Sequence, residues 1–191
     1  MKIALDVHGG DNAPKSNIKG AFNFLDHPEN SDVEILLVGD KNQIRSEIDH
    51  LSRSASDVTI IHTTEIVEMG DKASKALKEK PNSSLVKSIK LLKNREADAV
   101  ISAGNTGALL ASSLFLIGKI PGINRPALSP YIPSRKGGFI LCDAGANADC
   151  KPQHLLQFGL MAEAYIKHLN NLKNPRIALL NIGSESSKGN E

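Results

Sequence analysis

Short apolar runs recur along this 191-residue chain, each followed by a small-residue turn and then by a segment with helical spacing. Lys2-Ile3-Ala4-Leu5-Asp6-Val7 reads as a first strand, and Val33 to Val38, closed by Gly39-Asp40, as a second. The β-branched run Val58-Thr59-Ile60-Ile61-His62 is a third strand, and the segment around Val100 a fourth. Gly138-Phe139-Ile140-Leu141-Cys142 reads as a strand, with another at Ala127 to Tyr131 inside the proline-rich stretch Pro121 to Pro133, and Arg176-Ile177-Ala178-Leu179-Leu180 is the last.

Helical spacing falls between the strands. Pro14 opens a helix to Asp26, and Gln43 to Leu51 is a shorter one. Gly70-Asp71 is expected to cap a lysine-rich helix that stops before Pro81. Asn82-Ser83-Ser84 starts the next, with Leu85, Val86, Ile89 and Leu92 on one face and Lys87 and Lys90 away from it. An apolar helix follows Gly107 and ends at Gly118, and Pro152 to Leu169 is the last. Strands apolar on both faces, alternating with helices, predict a three-layer α/β/α fold with a mostly parallel sheet. Residues 1–191 read as the amino-terminal portion of a single α/β domain, truncated after its last strand, where a covering helix should follow.

Four strand ends run into turns of one kind: Asp6-Val7-His8-Gly9-Gly10-Asp11-Asn12, Ser102-Ala103-Gly104-Asn105-Thr106-Gly107, Asp143-Ala144-Gly145-Ala146-Asn147 and Asn181-Ile182-Gly183-Ser184. In a parallel sheet all four would lie at the carboxyl edge, where open α/β folds bind ligands. Asn105 or Thr106 can cap the helix that follows. Unpaired N–H groups and the partial positive charge at its start favour an anion.

Composition narrows the ligand. Aromatic residues make up 4% of the chain and Trp is absent, so base-stacking platforms and a nucleic-acid partner are not expected. Two cysteines give no disulfide framework and fit a reducing cytosol. Asp6 interrupts any signal-peptide core, and Gly107 to Gly118 is too short to span a bilayer. Net charge is +2, but Asp71 to Arg95 carries +6 of it, leaving −4 elsewhere. This segment reads either as a solvated lysine-rich helix pair or as a docking face for an acidic partner.

Known phosphate signatures fail. Gly183-Ser184-Glu185-Ser186-Ser187-Lys188 lacks the second glycine of a P-loop, and Gly104-Asn105-Thr106-Gly107 has the wrong spacing for a dinucleotide fingerprint. Cys142 and Cys150 read more readily as structural than nucleophilic, and His8, His62 and His154 show no metal-ligand spacing. Neither a metal nor a cofactor is expected. Asp6, Asp11 and Asp143 fit turn hydrogen bonding as well as orienting roles.

Read in order, the segments resemble one family. Met1-Lys2-Ile3-Ala4-Leu5-Asp6-Val7-His8-Gly9-Gly10-Asp11-Asn12-Ala13-Pro14 is similar to the amino terminus of the bacterial phosphate acyltransferases (PlsX). His62-Thr63-Thr64-Glu65, Met69-Gly70-Asp71, Ser102 to Ala108, Arg125-Pro126-Ala127, Asp143 to Pro152, Asn181 to Glu185 and Lys188 to Glu191 follow in the family's order. His8 stands where the family usually has Met, and family members continue past Glu191.

The resemblance implies a fold like that of the phosphotransacetylase and isocitrate dehydrogenase group. It implies transfer of a fatty acyl group from an acyl carrier protein thioester to inorganic phosphate, giving acyl phosphate for bacterial phospholipid synthesis. A cytoplasmic homodimer, peripheral at the inner membrane face and upstream of a membrane glycerol-3-phosphate acyltransferase, goes with it. On this reading Asn105 and Thr106 sit at the reacting centre, with Asp6, Asp143 and Lys188 contributing there. Gly9, Gly10, Asp11, Asn12, Gly104, Gly107, Gly145, Asn147 and Gly183 line the substrate site, and Lys87 and Lys90 dock the acidic carrier. The alternatives are a phosphotransacetylase-like acyl-CoA enzyme, a decarboxylating dehydrogenase of the same fold group, or a non-catalytic domain binding an anion or an acyl carrier.

Overall fold

Alternate residues of the strongest apolar run face opposite layers, as a parallel strand buried on both sides requires. Ile35 and Leu37 pack with Val7, Ile18, Phe22, Ile44 and Ile48, whereas Leu36 and Val38 pack with Ala4 and Leu91. The computed structural model describes residues 1–135 and 137–183. Lys188, the Ser184-Glu185 pair and Lys188 to Glu191 lie outside the described residues.

Residues 1–118 form one compact unit and residues 119–191 another. In the first, strands β1 (Lys2–Asp6), β2 (Glu34–Gly39), β3 (Thr59–His62) and β4 (Ala99–Ile101) form a parallel sheet ordered β3-β2-β1-β4. Helices α1 (Lys15–Leu25) and α2 (Lys41–His50) cover one face, burying Ile18, Ala21, Phe22, Ile44 and Ile48. Helix α4 (Ser84–Lys93) covers the other through Leu91, giving three layers. Helices α3 (Ala73–Glu79) and α5 (Thr106–Leu116) add a further cluster of Val67, Ala76, Leu85, Ile89 and Ala108.

Local chemistry sets the helix starts. Asp40 Oδ1 accepts from the Asn42 and Gln43 N–H groups, both at 2.9 Å, and Ser83 Oγ from Val86 N–H. The expected cap at Gly70-Asp71 is not formed, since α3 starts after Lys72 without a side-chain cap. The Asp71 carboxylate instead accepts from Glu68 N–H and pairs with Lys80. In α4 Leu85 is buried as expected, and Leu91 is buried where Leu92 was expected.

The second unit departs further from the expected strands. Strand β5 (Tyr131–Ser134) pairs antiparallel with β6 (Gly137–Ile140), Tyr131 opposite Ile140, so the Gly138–Cys142 run is a hairpin arm and not a parallel strand. Gly137, with φ 114°, supplies the left-handed residue that a tight reversal needs. Among the described residues, 176–180 form no strand and have no ladder partner, and Ile177, Leu179 and Leu180 are 60–83% exposed. Helix α6 (Pro152–Asn170) starts where His154 Nδ1 accepts from Lys151 N–H.

Candidate functional site

Strands β1 and β4 are parallel neighbours, with Leu5 opposite Ile101, so their carboxyl ends open side by side. The two turns that leave them meet backbone to backbone. Buried Asp6 accepts from Ser102 Oγ–H at 2.7 Å through Oδ2, and Ser102 Oγ accepts from Gly104 N–H at 3.1 Å. A Cβ on Gly9 would lie 2.7 Å from both Asp6 Oδ2 and Gly104 N, so only glycine lets the turns approach. Gly10, with φ 102°, lies against the Ala103 carbonyl. From α1, Asn17 Nδ2 donates to the carbonyls of Gly9 at 2.7 Å and Val7 at 2.9 Å. Asp6 thus orders this inner layer through Ser102, and an anion gains nothing from approaching its carboxylate.

The outer layer is the start of α5. Asn105 Oδ1 accepts from Ala108 N–H at 2.9 Å and caps the helix. Asn105 Nδ2 donates to the carbonyls of Glu68, Met69 and Asp71 at 3.2, 3.1 and 3.0 Å. Both ends of this carboxamide are committed, and Gly104 N–H is held by Ser102. What remains open are the N–H groups of Thr106 and Gly107, which form no hydrogen bond among the described residues, and the exposed Thr106 hydroxyl. A helix dipole and free donors at a sheet's carboxyl edge are suited to an anion.

His8 does not face this opening. Its Nε2 accepts from Asp40 N–H at 2.8 Å, and His62 Nδ1 accepts from Lys41 N–H at 3.1 Å, so both imidazoles cap α2. Burial holds the His8 pKa below its ordinary value, while the Asp6 and Asp40 carboxylates pull the other way. The unfolded chain therefore takes up this proton first as pH falls. His8 contributes fully above an unfolded pKa of about 6.5, and its contribution falls as pH drops through that value toward the lower folded pKa. The melting temperature of the native protein is expected to fall more steeply between pH 7.5 and 5.5 than that of His8→Met, roughly the interval around that unfolded pKa. Parallel slopes would remove His8 as the source.

Residues 1–191 match throughout the profile of the family described as "Fatty acid synthesis protein". The chain belongs to that family. It is 46% identical over 192 residues to the phosphate acyltransferase of Clostridioides difficile, covering 100% of this chain and 56% of that protein. To the phosphate acyltransferase of Thermodesulfovibrio yellowstonii it is 48% identical over 191 residues, covering 100% of this chain and 54% of that protein. The chain thus spans little more than half the length of these curated relatives. A solved structure, the EutD phosphotransacetylase from Staphylococcus aureus, matches with a TM-score of 0.67 at 16% identity, covering 89% of this chain and 54% of that one. That likeness is one of fold.

In this chain the turns after β1 and β4 come together through Gly9, Gly10 and Gly104. Asp11 is exposed, and Asn12 accepts Ser16 N–H and Oγ–H through its carbonyl. Asp143 and Asn147 belong to the second unit. Asp143 Oδ1 accepts from Leu128 N–H at 2.7 Å, Oδ2 from Asn147 N–H at 2.8 Å, and Asn147 Nδ2 donates to the Pro126 carbonyl at 2.9 Å. Burial opposes ionisation of Asp143, yet these donors together hold its carboxyl below the usual value. Gly145, with φ 104°, turns that loop, and Gly183 ends the described residues.

Lys87 and Lys90 are half-buried struts. Lys87 Nζ donates to the His62 carbonyl at 2.7 Å and Lys90 Nζ to that of Pro81 at 2.6 Å. Lys75 and Lys80 pair with Glu79 and Asp71, whereas Lys72, Lys78, Lys93 and Arg95 are exposed and form no ion pair among the described residues. Burial pushes the Cys142 thiol up, the nearby Asp143 charge adding to it against the Ser129 hydrogen bond, the reverse of nucleophile activation. Among the described residues no three His, Cys, Asp or Glu side chains could hold a metal ion, and no helix is long and apolar enough to cross a membrane.

Sequence reasoning gave no role to Ser102 or Asn17. Ser102 carried one usable signal, a hydroxyl directly before a glycine turn. Asn17 carried none, because its partners are main-chain carbonyls.

Proposed function

We propose that this protein moves an acyl group from the thioester of an acyl carrier protein to inorganic phosphate. The observation that carries the reading is the pair of N–H donors at Thr106 and Gly107 that form no hydrogen bond among the described residues, an anion site that calls for no side-chain nucleophile. Phosphate needs no such nucleophile, being one itself near neutral pH. A phosphate oxygen attacks the thioester carbonyl carbon, the carbon–oxygen bond forms, and the carbon–sulfur bond breaks. The carrier leaves as a thiolate, whose ordinary pKa of about 8.5 makes it a fair leaving group. The protein's task is then orientation and charge stabilisation, with donors fixed before the reaction. The 46–48% identity to phosphate acyltransferases supports this reading. The exposed Lys72, Lys78, Lys93 and Arg95 supply positive charge suited to an acidic carrier.

In the intact protein, thiol release from an acyl-carrier thioester is expected to require phosphate. Acyl-CoA is expected to react far more slowly under the same conditions. Equal rates on both donors would make the protein a phosphotransacetylase-like acyl-CoA enzyme, and phosphate-independent release would make it a hydrolase.

A further inference from the structure

The Asn105 carboxamide joins two segments more than thirty residues apart in sequence. One is the start of α5. The other is the segment 68–73, whose tip carries Met69, 57% exposed, and Gly70. This tip turns on itself, Asp71 N–H donating to the Glu68 carbonyl and Glu68 N–H to the Asp71 carboxylate. Its approach is anchored by buried Val67, and Asp71 pairs with Lys80 at the end of α3. Among the described residues, Asn105 alone ties the three carbonyls of the tip to the turn after β4.

The same segment meets that turn again at Ala73. A Cβ on Gly107 would lie 3.1 Å from Ala73 Cβ and 3.4 Å from Asn105 Oδ1. Residues 68–71 are therefore hydrogen-bonded to Asn105, and Ala73 lies close enough to Gly107 that a side chain there would press on it. The Thr106 and Gly107 N–H groups, which form no hydrogen bond among the described residues, follow Asn105 directly at the start of the same helix.

We infer that Asn105 is a positioning residue, which holds the 68–71 tip as a wall of the anion site and does not itself contact the phosphate. This inference rests on the phosphate acyltransferase reading. The chemistry demands a carboxamide: one acceptor for Ala108 N–H and one two-hydrogen donor for the carbonyls, with no net charge. Aspartate retains the cap and loses the donors. Alanine loses both.

The test compares Asn105→Asp and Asn105→Ala in the intact protein by thermal melting, hydrogen exchange and steady-state kinetics. The alanine variant is expected to melt lower, because only it lacks the helix cap. Exchange at residues 68–71 is expected to accelerate in both variants, and in the first turns of α5 only in Asn105→Ala. The phosphate KM is expected to rise on the order of tenfold or more in both, since a displaced wall misplaces the nucleophile. The KM for the acyl donor stays within about threefold, since uniform binding of that substrate is untouched.

A purely structural residue would show activity falling in step with melting temperature, so that Asn105→Asp recovers both. That result overturns the inference. So does an Asn105→Asp protein with faster exchange at 68–71 and an unchanged phosphate KM, or one whose tip exchanges as in the native protein. If the native protein forms no acyl phosphate, the functional reading has failed. The tether then stands on exchange alone, with acceleration at 68–71 in Asn105→Asp supporting it and none overturning it.

Discussion

Gly9→Val is expected to give a protein that folds poorly and carries no activity. The first added carbon would lie 2.7 Å from Asp6 Oδ2, 2.7 Å from Gly104 N and 2.9 Å from Ser102 Oγ. No neighbour can give way. Asp6 is 2% exposed, Gly104 N is backbone, and Ser102 is engaged with both. Overpacking of this kind costs about 1–3 kcal/mol, and a broken buried hydrogen bond adds roughly 1–3 kcal/mol. Against a total stability of about 5–15 kcal/mol, the loss leaves some molecules unfolded and the remainder with the two turns forced apart. Denaturant unfolding should show a much lower midpoint. Gly20→Ala is the contrast: nothing lies within 4 Å of a Cβ there, and a helix-favouring residue in α1 should stabilise by up to about 1 kcal/mol. A Gly9→Val midpoint equal to that of the native protein would refute the backbone-to-backbone contact.

Thr106→Pro is expected to leave the fold intact and remove most of the activity. Proline is favoured at the first position of a helix, where its missing N–H has no intrahelical partner. The preceding residue must be extended, and Asn105 already is, at φ −62° and ψ 105°. The substitution therefore deletes one free N–H together with the hydroxyl and spares the cap. Removing one donor of a preorganised anion site costs about a hundredfold to a thousandfold in rate. Thr106→Val separates the two groups, since it keeps the N–H and loses only the hydroxyl; its loss should be far smaller. The check is kcat/KM for phosphate beside the melting temperature. Native activity in Thr106→Pro would show that the N–H at this position meets no reacting group.

The layered part of the fold was legible because period and face agree. Ile35 to Val38 alternates between two cores, and the apolar positions of α1, α2 and α4 meet them. The glycine turns after β1 and β4 were legible for a related reason, since a strand end followed by small residues marks a place where backbone must approach backbone. The partner of each side chain was not legible. Asn105 looked like a ligand-binding amide, but its donors meet carbonyls 34 to 37 residues earlier, a long-range match that no local pattern encodes. Lys87 and Lys90 read as part of a solvated or carrier-docking face because helical spacing placed them off the apolar face, yet their ammonium groups donate to the carbonyls of His62 and Pro81. Hydrophobicity also misled at residues 176–180, an apolar run that forms no strand among the described residues.

We propose that phosphate, held at the start of α5, is the nucleophile. This role is tested most directly by incubating the intact protein with an acyl-carrier thioester and heavy-oxygen-labelled phosphate, and following the acyl product by mass spectrometry. The expected product is acyl phosphate that retains all of the phosphate label and whose formation collapses in Thr106→Pro. Free carboxylic acid alone, or acyl phosphate formed equally well by Thr106→Pro, would contradict it.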